Sequence, residues 1–171
     1  ERPKIDFYDS YMFVVLHGIH QQTLEPEELD LFVNEKGIVT FHKNAIRDLN
    51  NIWLRIKKDD SLKKGPMKIM HQLTDKLVDD FFPPVYHLED LLNQIEENNK
   101  NKSINELMKE LFSIRSQLSK IRRTIIPMRD LMYRIISSNR LNEMKEEDLY
   151  FYDVYDHLLK LVEMTEANRE L

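Results

Sequence analysis

The sequence predicts an α+β fold: a small antiparallel sheet with one helix, followed by three long α-helices. Three observations predict it. The first third of the chain carries short β-prone runs around a tight turn. After Gly65-Pro66 the apolar residues recur at three- and four-residue spacing to the end of the chain. The 171 residues, 42% hydrophobic and 32% charged, suffice for a folded, helix-rich domain with a real core.

The sheet comes first. Tyr11, Phe13 and Val15 alternate with Met12, Val14 and Leu16, which predicts a strand over these residues. Glu28 to Val33 forms a second. Asn34-Glu35-Lys36-Gly37 reads as a tight turn, with Gly37 free to take positive φ, and Ile38 to His42 is the hairpin partner. An antiparallel sheet of at least three strands is expected. It meets a helix from about Ala45 to Lys58, with Ile46, Leu49, Ile52, Trp53 and Ile56 on one face.

The helices follow. Pro66 suits a first helical turn, and Ile69 or Met70, Leu73, Leu77, Phe81, Leu88, Leu92 and Ile95 make an apolar stripe. Pro83-Pro84 interrupts that stripe, so a kink near Phe82 is expected. Asn98 to Lys102 is the turn, and Ser103 with Glu106 predicts a capping box. The next helix is the strongest periodic signal: Ile104, Leu107, Leu111, Ile114, Leu118, Ile121, Ile125, Met128, Met132 and Ile135 form a heptad seam, with Pro127 as a local irregularity. It extends for roughly 50 Å at about 1.5 Å per residue. A break at Ser137-Ser138-Asn139 precedes a final helix from about Lys145 to Leu171, packed through Phe151, Tyr155, Leu158 and Val162.

Composition narrows the function. With no cysteine, disulfides and thiolate zinc sites are excluded, and any metal must be held by oxygen or imidazole. The longest purely apolar run, Met12 to Leu16, is far too short to span a bilayer. The formal charge is −5, and residues 142–171 alone hold nine acids against three bases. The last helix therefore carries the negative balance, which argues against a nucleic-acid partner. The start at Glu1 in mid-pattern, and an end at Asn168 to Leu171 with neither Gly nor Pro, suggest a fragment of a longer chain.

Two acidic clusters are the candidates for chemistry. Asp153 and His157 are four apart and share a helix face, with Asp156 on a neighbouring one. His71, Asp75 and Asp79 also align at four-residue spacing, while Asp80 reads as the partner of a base. Two carboxylates and an imidazole are ligands for a hard cation, or else a solvated acidic face. Magnesium prefers oxygen, so His157 is the weaker ligand. His17, His20 and His42 read as structural. No Gly-rich loop, nucleophile elbow or His-x-x-x-His pair is present, so no catalytic residues are assigned, no enzyme is expected, and a metal-dependent hydrolase ranks last.

Several motifs fall in one order: Arg2-Pro3-Lys4, the strand Tyr11 to Leu16, Leu73-Thr74-Asp75-Lys76-Leu77-Val78-Asp79-Asp80-Phe81-Phe82, Ile121-Arg122-Arg123-Thr124-Ile125-Ile126-Pro127-Met128-Arg129-Asp130, and Tyr152-Asp153-Val154-Tyr155-Asp156-His157. This order resembles the cytosolic domain of the CorA family of magnesium transporters over essentially the whole chain. The Asp-Val-Tyr-Asp-His and Arg-Arg-x-x-x-Pro-x-Arg blocks are its specific parts.

The resemblance implies a pentameric funnel whose last cytosolic helix runs into a pore-lining membrane helix. Residues 1–65 would then be the C-terminal part of an αβ head, 66–141 a long antiparallel helical hairpin, and 142–171 the start of the stalk helix. Neither the Gly-Met-Asn pore signature nor a membrane helix is in this sequence. The family's regulatory Mg2+ sites lie between subunits, and by position Asp75 and Asp153 match their acidic residues, with His157 beside them; Asp79 joins the candidate metal residues through its alignment with Asp75 on the helix face. Mg2+, or another divalent cation such as Co2+ or Zn2+, is the implied ligand. Other copies of the chain are the implied partners, and the cytoplasmic face of the cell membrane the implied location. The alternative is a helical assembly module of a CorA relative, for example a zinc-transporting one, without metal sensing.

Overall fold

The computed structural model describes residues 1–47, 49–60, 65–138, 141 and 149–170. Four strands, β1 (Lys4–Phe7), β2 (Met12–Ile19), β3 (Pro26–Val33) and β4 (Ile38–Phe41), form an antiparallel meander in chain order. Its register pairs Ile5 with Val14, Val14 with Leu31, and Leu31 with Thr40. Because side chains alternate across a strand, Ile5, Met12, Val14, Leu16, Leu29, Leu31 and Val33 fall on one face, and all are buried. The opposite face carries an aromatic row, with Phe13 and Phe32 at 4.9 Å and Tyr11 and Phe32 at 6.2 Å between ring centres. The strand β1 was missed by sequence reasoning because Lys-Ile-Asp-Phe is short and half polar.

The hairpin turn is made differently from the expectation. Gly37 does not adopt positive φ. Instead the side-chain oxygen of Asn34 accepts hydrogen bonds from the backbone N–H of Lys36 (2.8 Å) and Gly37 (3.0 Å), so an asparagine-closed turn replaces the strained glycine.

Helices follow as α1 (Leu49–Lys58), α2 (Pro66–Asp79), α3 (Phe82–Glu97), α4 (Ile104–Ser137) and α5 (Leu149–Glu170). The expected start of the first at Ala45 moves to Leu49, and the start of the last at Lys145 lies outside the described residues. Pro83 and Pro84 do not kink one helix. They stand in the first turn of a new one, where a missing N–H leaves no bond unmade. The chain turns at Asp80-Phe81, held by the Gln21 amide donating to the Asp80 carbonyl at 2.8 Å. The Ser103–Glu106 capping box forms as expected, and α4 runs unbroken through Pro127.

A single core joins the sheet to the helices. The α2 and α4 helices cover the inner face of the sheet, and Gly18 on β2 lies so near Leu77 that an added Cβ would sit 2.8 Å from the leucine Cδ2. The seam of α4 is buried only from Ile114 onward; Ile104 is 78% exposed, and Leu107 and Leu111 are half-buried. Its main partner is α5, which runs antiparallel to it, rather than α3. No helix among the described residues is long and apolar enough to cross a membrane.

Candidate metal centre

Helix α2 buries Met70, Leu73, Thr74, Leu77 and Val78. That leaves His71, Asp75 and Asp79 on its flank, toward α5. On α5 the buried apolar residues are Phe151, Val154, Leu158 and Leu161. His157 therefore sits at the edge of that buried stripe and reaches α2. One ligand atom from each of Asp75, Asp79 and His157 lies within 4.8 Å of the others. The His157 Nδ1 is 3.7 Å from Asp79 Oδ1. That nitrogen is shielded from water and has no hydrogen-bond partner.

The surroundings orient these groups. The Phe82 ring meets the His157 ring edge-on, 5.9 Å between centres, and Lys160 Nζ lies 5.8 Å from the centre of the same Phe82 ring. Sequence reasoning treated Phe82 as the site of a kink and missed its contact with the imidazole. Burial raises the Asp79 carboxyl above its ordinary range, and the charge of Asp75 adds to this, against a smaller opposing effect of His157. Asp80 is paired with Lys76 at 2.9 Å. His71 turns its ring to Phe151, 5.4 Å away and nearly perpendicular. Asp153 and Asp156 are exposed on α5 and are not part of the Asp75–Asp79–His157 group.

Two carboxylates and an imidazole nitrogen without a hydrogen-bond partner make a mixed O/N donor set. Ligand atoms around an ion bound at about 2.0–2.2 Å stand roughly 3–4 Å apart. The observed cluster, with its ligand atoms within 4.8 Å of one another, is slightly wider. With the imidazole protonated, the same geometry is an ion pair between His157 and Asp79.

The histidines read as structural stay outside this cluster. His20 Nδ1 accepts from the N–H of Gln22 and Thr23, and His42 Nδ1 shares a 2.8 Å hydrogen bond with the Asn44 carbonyl.

Comparison with known proteins is consistent across the chain. The Bacillus subtilis (strain 168) protein YfjQ is 48% identical over all of this chain and 54% of its own length. The cobalt/magnesium transport protein CorA of Thermotoga maritima is 26% identical over all of this chain and 50% of its own. The chain thus spans about half the length of these relatives. The soluble domain of CorA from Methanocaldococcus jannaschii superposes with a TM-score of 0.83 at 18% identity, covering 99% of this chain and 70% of that one, a likeness of fold. Residues 1–171 match the family model described as CorA-like Mg2+ transporter protein, and the chain belongs to that family.

Proposed function

We propose that this chain is the cytosolic regulatory part of a CorA-type divalent cation transporter, sensing Mg2+ and acting without catalysis. The observation that supports this reading is the meeting of Asp75 and Asp79 from α2 with His157 from α5. These three residues would hold the ion within one chain. Asp153, exposed on α5, is free to face a neighbouring copy in a pentamer. The full-length protein would lie in the cell membrane, with this part on its cytoplasmic face.

The physical basis is charge. Two carboxylates about 4 Å apart repel by roughly 4 kcal/mol at an effective dielectric near 20. A divalent cation offsets that repulsion and, by bridging the two α2 acids to His157, favours the arrangement in which α5 stays close to α2. When the cation is scarce that bridge is lost, and the populations shift toward arrangements in which α5 is held less tightly. Magnesium keeps several waters when bound, so the affinity is weak, as a sensor of an abundant ion requires.

The decisive experiment measures Mg2+ inhibition of currents through the full-length protein. Asp79→Asn and Asp153→Asn should each weaken inhibition. Unchanged inhibition in both variants sinks the sensing role.

A second reading, an assembly module without sensing, is favoured by Ile104, Met108 and Phe112. They recur every four residues on α4 and are exposed. Intact Mg2+ inhibition together with loss of oligomerisation in Phe112→Ser would favour it.

A further inference from the structure

Helix α5 buries Phe151, Val154, Leu158, Leu161, Thr165 and Asn168. Their 3-4-3-4-3 spacing is that of a seam inserting side chains between those of a facing helix. The facing seam on α4 is apolar, with Leu118, Ile121, Ile125, Met128 and Met132 buried. Repeating apolar seams define register poorly. A slide of one turn, about 5.4 Å, lays similar side chains on similar side chains again.

Two positions of the α5 seam break this degeneracy. Arg122 of α4 donates from Nη1 to the Val162 carbonyl (3.1 Å) and to Thr165 Oγ1 (3.4 Å), and pairs with Glu166 at 2.8 Å. Thr165 Oγ1 itself donates to the Val162 carbonyl at 3.0 Å. The Arg122 side chain is only 16% exposed, so a slide that removed these acceptors would leave a poorly hydrated guanidinium unpaired. Asn168, just beyond, donates from Nδ2 to Glu89 of α3 at 3.2 Å. A polar residue in an apolar seam is a known means of setting helix register.

We propose that the Arg122–Thr165 and Asn168–Glu89 contacts are register keys, holding α5 where His157, and not Asp153, faces Asp75 and Asp79. Asp153 and His157 are one turn apart on one face of α5. A one-turn slide therefore exchanges an imidazole for a carboxylate opposite the two acids. The register itself needs no cation; only its consequence for the cluster rests on the sensing function.

The chain has no cysteine, so paired cysteine substitutions report register without background. Tyr133 of α4 and Tyr155 of α5 meet with ring centres 6.2 Å apart. Tyr152 and Leu159, about a turn to either side on α5, are exposed. Under diamide, Y133C/Y155C should crosslink faster than Y133C/Y152C or Y133C/L159C. Equal rates for the three pairs overturn the proposal. Adding Arg122→Met with Thr165→Val should cut Y133C/Y155C crosslinking by roughly half or more while a shifted pair gains. An unchanged pattern with a cooperative melt overturns the proposal. Should that combination fail to fold, Asn168→Leu replaces it, and an unmoved pattern there is equally fatal.

Discussion

His157 Nδ1 on α5 lies 3.7 Å from Asp79 Oδ1 on α2, with the nitrogen shielded from water and without a hydrogen-bond donor or acceptor. The contact links two helices far apart in sequence. On the proposed sensing function, the cluster would be sensitive to an ion that replaces this direct contact.

Thermal unfolding tests that sensitivity. About 10 mM Mg2+ at matched ionic strength should raise the unfolding midpoint. The gain approaches about 2.7 kcal/mol if the ion stands at 100 times its dissociation constant. The rise should vanish in a chain carrying Asp75→Asn and Asp79→Asn. An equal rise in that variant would place the ion elsewhere.

Leu158 and Leu159 are adjacent, yet one is fully buried and the other 40% exposed. Leu158→Ala removes a side chain from the α4–α5 seam and should cost about 2–5 kcal/mol. Leu159→Ala should change stability by no more than about 0.5 kcal/mol. Urea unfolding of the two variants, with similar m-values, checks both. Equal losses would show that the faces of α5 are misassigned.

Gly18 has no room for a side chain, since its Cβ would stand 2.8 Å from Leu77 Cδ2 and Leu77 is itself buried. Gly18→Val should destabilise by about 1–3 kcal/mol through overpacking of α2 on the sheet. Combining it with Leu77→Ala should recover part of that loss, and a purely additive double variant would argue against direct contact.

Asp30 offers a pH test. Its Oδ1 is shielded and unpaired, and burial first, then its hydrogen bond and charge repulsion with Glu28, raise its carboxyl from 3.8 to about 6. The folded state therefore holds a proton that the unfolded state releases. The sign follows: this group favours folding at low pH, and that contribution is lost as pH rises from about 3.8, the unfolded value, through about 6. Asp30→Asn should gain stability relative to wild type as pH goes from about 4 to about 6, and level off above that. Midpoints with a pH-independent difference would exclude this titration.

Much of the architecture was legible. The Ser103–Glu106 box is local chemistry within four residues, and it formed as read. The three- and four-residue spacing located the buried faces of α2 and α3 and of the later turns of α4, because helical periodicity survives any tertiary arrangement; on α5 it picked Tyr155 and Val162, which are half-buried, where Val154 and Leu161 complete the buried seam. The failures have local causes. The glycine signal at Gly37 hid the stronger Asn34 side chain. Pro83 and Pro84 were assigned to a helix interior when they open a new helix. The α4 seam looked uniform, yet its first turns are only partly covered, since α5 meets the later ones.

For the candidate site, the sequence alone determined which residues share a helix face: Asp75 with Asp79, and Asp153 with His157. That follows from the fixed 3.6-residue turn, which needs no partner. Only the tertiary structure decided that His157 joins the two α2 acids while Asp153 stays exposed. One turn of α5 separates those outcomes, and helical spacing is the same for both. The choice rests on where α5 packs along α4 and α2, through contacts such as Arg122 with Val162 and Thr165, 40 or more residues apart. Periodicity is a property of the backbone. Register is a property of the packed pair, in which a buried polar group finds its acceptors at one position and loses them a turn away.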